Sequence, residues 1–127
     1  MSTVYHEPYA DLSTEARDVH RALASFIEEL EAIDWYNQRA DVTQDDSLRA
    51  ILLHNRDEEI EHAVMALEWL RRRIPKFDEE LQTYLFTSAP ITELEGEEKS
   101  KEDKGSAEPA PPAVSNGSLG IGDLKKE

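Results

Sequence analysis

Asp46-Ser47-Leu48-Arg49-Ala50-Ile51-Leu52-Leu53-His54-Asn55-Arg56-Asp57-Glu58-Glu59-Ile60-Glu61-His62-Ala63-Val64-Met65-Ala66-Leu67-Glu68-Trp69-Leu70 is the stretch that decides the fold. Leu48, Ile51, Leu52, Ala66, Leu67 and Leu70 fall at helical spacing, the mark of a helix with one buried face. Between its apolar ends that face passes through Asn55, Glu59 and His62 before reaching Ala66 and Trp69. The middle two turns of the core face are therefore polar. Asp46 or Ser47 can cap the start, and Pro75 ends the helix after Ile74. Arg71, Arg72 and Arg73 fall in the last turn, where positive charge suits the helix dipole.

Upstream, Leu12 to Asp41 contains neither Pro nor Gly, and Val19, Leu23, Phe26, Leu30 and Ile33 repeat at steps of 3 and 4. Ser13 is the expected N-cap, with Glu15 in the first turn. The line Ala22, Phe26, Glu29, Ile33, Tyr36 sets Glu29 among apolar neighbours. The polar run from Asp41 to Asp46 reads as a turn, so two helices of roughly 28 residues, about 42 Å each, fold back on one another. A short third helix is expected from Pro75 to about Thr87, carrying Phe77, Leu81, Tyr84, Leu85 and Phe86. The fold class is all-α: an antiparallel two-helix hairpin plus a short C-terminal helix. Such a hairpin cannot bury both apolar stripes alone, and the simplest partner is a second copy, giving a four-helix bundle.

The chain has 127 residues, with 28 Asp and Glu against 14 Lys and Arg and a formal net charge of -14. That charge repels phosphate backbones, so no nucleic-acid partner is expected. There is no cysteine, which removes disulfides, thiolate metal sites and thiol nucleophiles and fits a reducing, cytoplasmic setting. The first residues carry neither a basic nor an apolar leader segment, and no apolar run approaches the ~18 residues of a membrane span. After residue 92 the composition changes to Glu, Lys, Ser, Pro and Ala. Residues 93–114 read as a disordered linker, since they offer little to bury. Leu119, Ile121 and Leu124 then return among Gly117, Gly120 and Gly122. An apolar island beyond a solvated tether reads as a docking peptide. The organisation is a 1–12 extension, a 13–92 helical domain, the linker, and a terminal peptide at 115–127.

Glu59-x-x-His62 puts a carboxylate and an imidazole one turn apart on one helix face, where both can reach a single ion. A Glu-x-x-His pair alone is a weak signal in a Glu-rich chain. Its place within an apolar stripe, matched by Glu29 on the other helix, gives it weight, because a carboxylate there must be paired, hydrogen-bonded or metal-bound. Two carboxylates and one imidazole suit iron or manganese better than structural zinc. Di-iron bundles use a Glu from each of two helices and a Glu-x-x-His from each of the other two, so this chain holds half a set.

Phe26-Ile27-Glu28-Glu29-Leu30-Glu31-Ala32-Ile33-Asp34-Trp35-Tyr36 resembles the first-helix signature of the encapsulated ferritins. The run from His54 to Ala63, the run Met65 to Arg72, and Thr83-Tyr84-Leu85-Phe86-Thr87 with Pro90-Ile91-Thr92 are similar to its later segments. The terminal Gly117-Ser118-Leu119-Gly120-Ile121-Gly122-Asp123-Leu124-Lys125 resembles peptides that dock cargo inside encapsulin shells. The resemblance implies a ferroxidase that oxidises Fe(II) to Fe(III) with O2 at a di-iron centre between two subunits. It implies Glu29, Glu59 and His62 as iron ligands, Tyr36 beside the centre with Trp35 as its neighbour, and Glu28 and Glu31 as an outer metal site. It also implies a ring of ten subunits, a pentamer of dimers, that builds no cage of its own. The encapsulin shell, reached through residues 117–126, stores the mineral, which places the protein inside a nanocompartment. Two other readings stand beside this one. One is a non-catalytic helical metal-binding adaptor; the other is a different di-iron activity such as peroxide reduction. The lack of cysteine counts against the iron site made of four cysteines that peroxide-reducing relatives often carry. His54 is read as structural, His6 and His20 as surface residues, Trp35 and Trp69 as packing groups, and Glu58, Glu61 and Glu68 as a solvated face.

Overall fold

A computed structural model describes residues 4–96. The elements of the described residues are all helical, without a strand: a 3-10 turn at Tyr9–Asp11, α1 at Thr14–Val42, α2 at Asp46–Arg73 and α3 at Pro75–Tyr84. None of these helices is long and apolar enough to cross a membrane. Residues 4–82 belong to one compact unit and 83–96 to another.

Ser13 caps α1 as expected, its hydroxyl accepting from the Ala16 amide at 3.0 Å, and Glu15 follows in the first turn. At the start of α2 the cap is Asp45, one residue before the expected pair. Its Oδ1 accepts from the Leu48 amide at 2.8 Å. Asp45, Asp46 and Ser47 all carry a capping oxygen, and where the turn ends selects among them. The connection is only Thr43, Gln44 and Asp45. Arg49 closes it from the α2 side, donating through Nε to the Ala40 carbonyl at 3.1 Å, through Nη2 to the Thr43 carbonyl and through Nη1 to Asp46. One guanidinium thus satisfies carbonyls that the end of α1 would leave open.

α1 and α2 run antiparallel. Arg49 meets Ala40, Arg56 donates to the Asn37 side chain at 3.0 Å, and Arg73 reaches Glu15 at 3.0 Å at the far end. Val19, Leu23, Phe26 and Ile33 of the α1 stripe are half-buried, while Leu30 stays exposed. Of the α2 stripe, Leu70 is fully buried, but Leu48 and Ile51 are not covered. In residues 4–82 the buried core is Ala40, Ala63 and Leu70, very little for two helices of 29 and 28 residues. The single hairpin leaves apolar side chains of both helices exposed.

Pro75 opens α3 at the position where its missing N–H costs nothing, and the Phe77 amide donates back to Ile74 at 2.9 Å. Arg71 joins α2 to α3: it grips Glu68 bidentately at 2.7 and 2.8 Å and donates to Asp78. Arg72 adds a bond to Glu68 at 2.6 Å. Glu68, expected on a solvated face, is thus held between two guanidiniums. The Arg71 hydrogen bond, with help from Arg72, lowers its pKa from the ordinary 4.5 to about 2. A depressed carboxylate stabilises the fold above its unfolded pKa and loses that contribution as pH falls through the folded value. Acid titration of unfolding stability should therefore show a loss between pH 4.5 and about 2, and Glu68→Gln should flatten it. The exposure of the pair keeps the effect modest. An unchanged acid profile in Glu68→Gln would contradict the assignment.

In the second unit the chain departs from expectation twice. α3 ends at Tyr84, short of Thr87, where Phe86 turns into the left-handed region at φ 60°. Residues 91–96 are helical, with Leu94 buried and the Glu93 amide donating to Pro90 at 3.0 Å, although 93–96 were expected in the linker. Ile91 and Leu94 stand one turn apart behind a proline that can only begin a helix, so the linker composition starts after a last apolar turn. The remainder of the expected linker and the 115–127 peptide lie outside the described residues.

Candidate metal centre

α1 contributes Glu29, and α2 contributes Glu59 and His62. The spacing of 3 in α2 sets the carboxylate and the imidazole on adjacent turns of one face, and the antiparallel register brings Glu29 opposite them. His62 Nδ1 lies 3.6 Å from Glu59 Oε2 and 3.8 Å from Glu29 Oε2. One donor atom from each of the three lies within 4.8 Å of the others. The Glu59 and Glu29 side chains are about one quarter exposed (24% and 26%), and His62 is 45% exposed. The carboxylates are thus sheltered while the imidazole opens outward from the hairpin.

The donor set fits a hard or borderline divalent ion. Metal–ligand bonds to carboxylate oxygen and imidazole nitrogen are about 2.0–2.2 Å. Small side-chain rotations let these three atoms share one ion. Two oxygens and one nitrogen from one chain leave coordination positions open, unlike a closed structural site. Among the described residues no other group of three acidic or imidazole side chains comes together in this way.

The remaining expected site residues stand apart from this cluster. Glu28 is exposed and Glu31 half-buried on the turns around Glu29, and neither joins the three. Tyr36 is half-buried two turns along α1 from Glu29, with the Arg39 guanidinium 5.7 Å above its ring. Trp35 is exposed, and Trp69 carries Arg73 over its ring at 4.3 Å. His54 sits 3.6 Å from Glu58 as an exposed pair one turn apart, outside the cluster. His20 stacks on Tyr5 at 4.1 Å between ring centroids, so it holds the N-terminal segment against α1. A depression lined by Asn37, Asp41, Arg49, Leu53 and Arg56 lies near the turn, and its guanidiniums are already engaged. Asn55, which interrupts the apolar line in the sequence, is half-buried one turn before Glu59.

Fold and site together define a helical hairpin on which two carboxylates and one imidazole from two helices converge. The chain belongs to the EncFtn-like family, whose model matches residues 4–88. It is similar to an encapsulated ferritin-like protein from Rhodospirillum rubrum, at 54% identity over 123 residues, covering 96% of this chain and 88% of that one. It is also similar to a ferritin-like protein from Thermotoga maritima, at 58% identity over 97 residues, 76% of this chain and 85% of that one. Among solved structures it matches the crystal structure of a protein from Nitrosomonas europaea at 61% identity and a TM-score of 0.67, covering 68% of this chain and 96% of the other. The resemblance to the encapsulated ferritins read from the α1 and α2 signatures is thereby borne out.

Proposed function

We propose that this chain is a ferroxidase, oxidising Fe(II) to Fe(III) with O2 at a di-iron centre shared by two copies, and that it delivers iron for storage inside an encapsulin nanocompartment. The observation that carries the reading is the convergence of Glu29, Glu59 and His62 from two helices. A second copy related by a twofold axis would double this to four carboxylates and two imidazoles, the ligand count of a ferritin-like di-iron bundle. In that arrangement the Glu59 carboxylates would be shared between the two ions, and Glu29 and His62 would each hold one. Hard carboxylate oxygens bind Fe(III) more tightly than Fe(II), which favours loss of one electron from each ion to O2. Tyr36 is assigned beside the centre, and Glu28 and Glu31 to an outer acidic site that draws Fe(II) toward it.

Exposed apolar side chains support assembly. Leu48, Ile51 and Met65 lie toward the His62 side of α2 and are uncovered in the single chain. Ile60 and Val64 are exposed as well, yet each is two residues from His62, about 200° around the helix. A hairpin with uncovered apolar side chains both on its metal face and on the opposite face of α2 suits alternating contacts, as in a ring of ten built from dimers. Encapsulation is supported by the name of the Rhodospirillum rubrum relative and by the reach of that similarity. At 96% of this chain it necessarily takes in most of the residues after 96.

Adding Fe(II) aerobically to the purified chain should produce Fe(III) absorbance. Binding without oxidation would favour the metal-binding adaptor instead. Deleting residues 115–127 should leave the helices and iron oxidation intact while stopping co-purification with an encapsulin shell; normal encapsulation of the truncated chain would rule out docking through residues 117–126.

A further inference from the structure

Phe86 is fully exposed, at 103% of its reference surface, and its φ of 60° lies in the left-handed region. Two residues past the last residue of α3, this is where helices commonly place a glycine, because only glycine takes that conformation without a steric penalty. The local geometry is otherwise an ordinary helix end: Thr87 Oγ1 donates to the Tyr84 carbonyl at 2.9 Å. A bulky aromatic at this position is thus disfavoured twice, by its backbone and by its contact with water. Both penalties vanish in a glycine, so the side chain must be needed where it projects. Leu85 and Ile91 are exposed near it in the sequence, at 41% and 70%. The other phenylalanines of the chain, Phe26 and Phe77, are half-buried.

We infer that Phe86 is an anchor residue that inserts into a neighbouring copy of this chain. The occupant follows from area. One aromatic ring with two aliphatic neighbours offers far less than the roughly 800 Å² per partner that a stable complex needs. It cannot hold a foreign protein alone, but it can add a central contact to an assembly that the hairpin already requires. Anchors of this kind are aromatic side chains that carry a disproportionate share of the binding energy. The inference rests on the reading that copies of this chain assemble, and it adds the residue through which the 83–96 unit takes part.

The test measures assembly of the full chain against concentration by sedimentation for wild type, Phe86→Ala, Phe86→Gly and Phe86→Trp, with helicity and Co(II) bound per chain recorded alongside. Phe86→Ala should raise the concentration of half-assembly about thirtyfold. Phe86→Gly, free of the backbone penalty, should melt no lower than Phe86→Ala yet assemble as poorly, and Phe86→Trp should assemble close to wild type. Co(II) binding should return to the wild-type ratio once either weakened variant is concentrated enough to assemble. Wild-type assembly of Phe86→Gly would overturn the anchor. So would a loss of assembly that appears only when residues 97–127 are present, since Phe86 would then be covered by the chain's own tail. Wild-type protein that assembles but binds no Co(II) would instead count against the metal-centre reading and leave the anchor standing.

Discussion

Glu59→Ala should lower the rate of aerobic Fe(II) oxidation by more than about 100-fold, because even the outer partners of metal ligands are commonly worth 10–100-fold. Glu59 is the residue assigned to touch both ions, so its loss removes the bridge and one ligand from each. Glu29→Ala and His62→Ala should each slow oxidation strongly as well, and the three effects should not add, since the ligands act as one unit. The same substitutions separate chemistry from folding. In the single chain Glu29 and Glu59 each place a carboxylate oxygen within 4 Å of the same imidazole nitrogen. Two sheltered carboxylates that close repel each other when no cation stands between them. Without metal, Glu59→Gln or Glu29→Gln should therefore melt at or above the wild-type temperature; with Fe(II) or Co(II) under anaerobic conditions wild type should gain stability and the variants should not. Normal oxidation by all three alanine variants would show that the chemistry lies elsewhere.

The second large effect is on concentration. If each chain supplies half of the ligands, specific activity must collapse on dilution below the dimerisation constant. Metal that binds only the paired state stabilises it by about 2.7 kcal/mol at a hundredfold excess over its dissociation constant. Ferrous or cobaltous ion should therefore shift the assembly curve to lower protein concentration. Chelator should reverse that shift. Glu29→Ala should lose the metal response while keeping whatever assembly the apolar faces drive, because Leu48, Ile51 and Met65 are unaltered. A specific activity independent of dilution would mean that one chain carries a complete centre.

Much of this was legible along the chain because helix periodicity is a strong signal. α1 and α2 announce themselves by apolar steps of 3 and 4, and Glu59 with His62 needs only the helix to be brought together. Glu29 was legible as an interruption of an apolar line, although nothing local in the sequence sets the register that places it opposite His62. That register depends on the length of the 43–45 connection and on Arg49 reaching back to Ala40 and Thr43. The cap falls at Asp45, one residue before the pair the sequence favours, because three consecutive side chains can do the same chemistry. Glu68 looks solvated in the sequence because last-turn arginines such as Arg71 and Arg72 are explained by the helix dipole alone, and only the folded geometry shows them gripping it. The end of α3 was misplaced because no glycine marks the left-handed turn at Phe86. The exposed Leu48 and Ile51 show the limit most clearly, since helical spacing marks them as a buried face and the single hairpin does not cover them.

The most direct test of the shared centre is native mass measured during anaerobic Fe(II) titration, followed by admission of O2 to the same samples. The expected result is that iron appears only on species containing an even number of chains, saturates at two ions per pair at the centre, and yields Fe(III) absorbance in those species alone. Iron bound by an isolated chain through Glu29, Glu59 and His62, and oxidised there at the rate of the assembled protein, would contradict it.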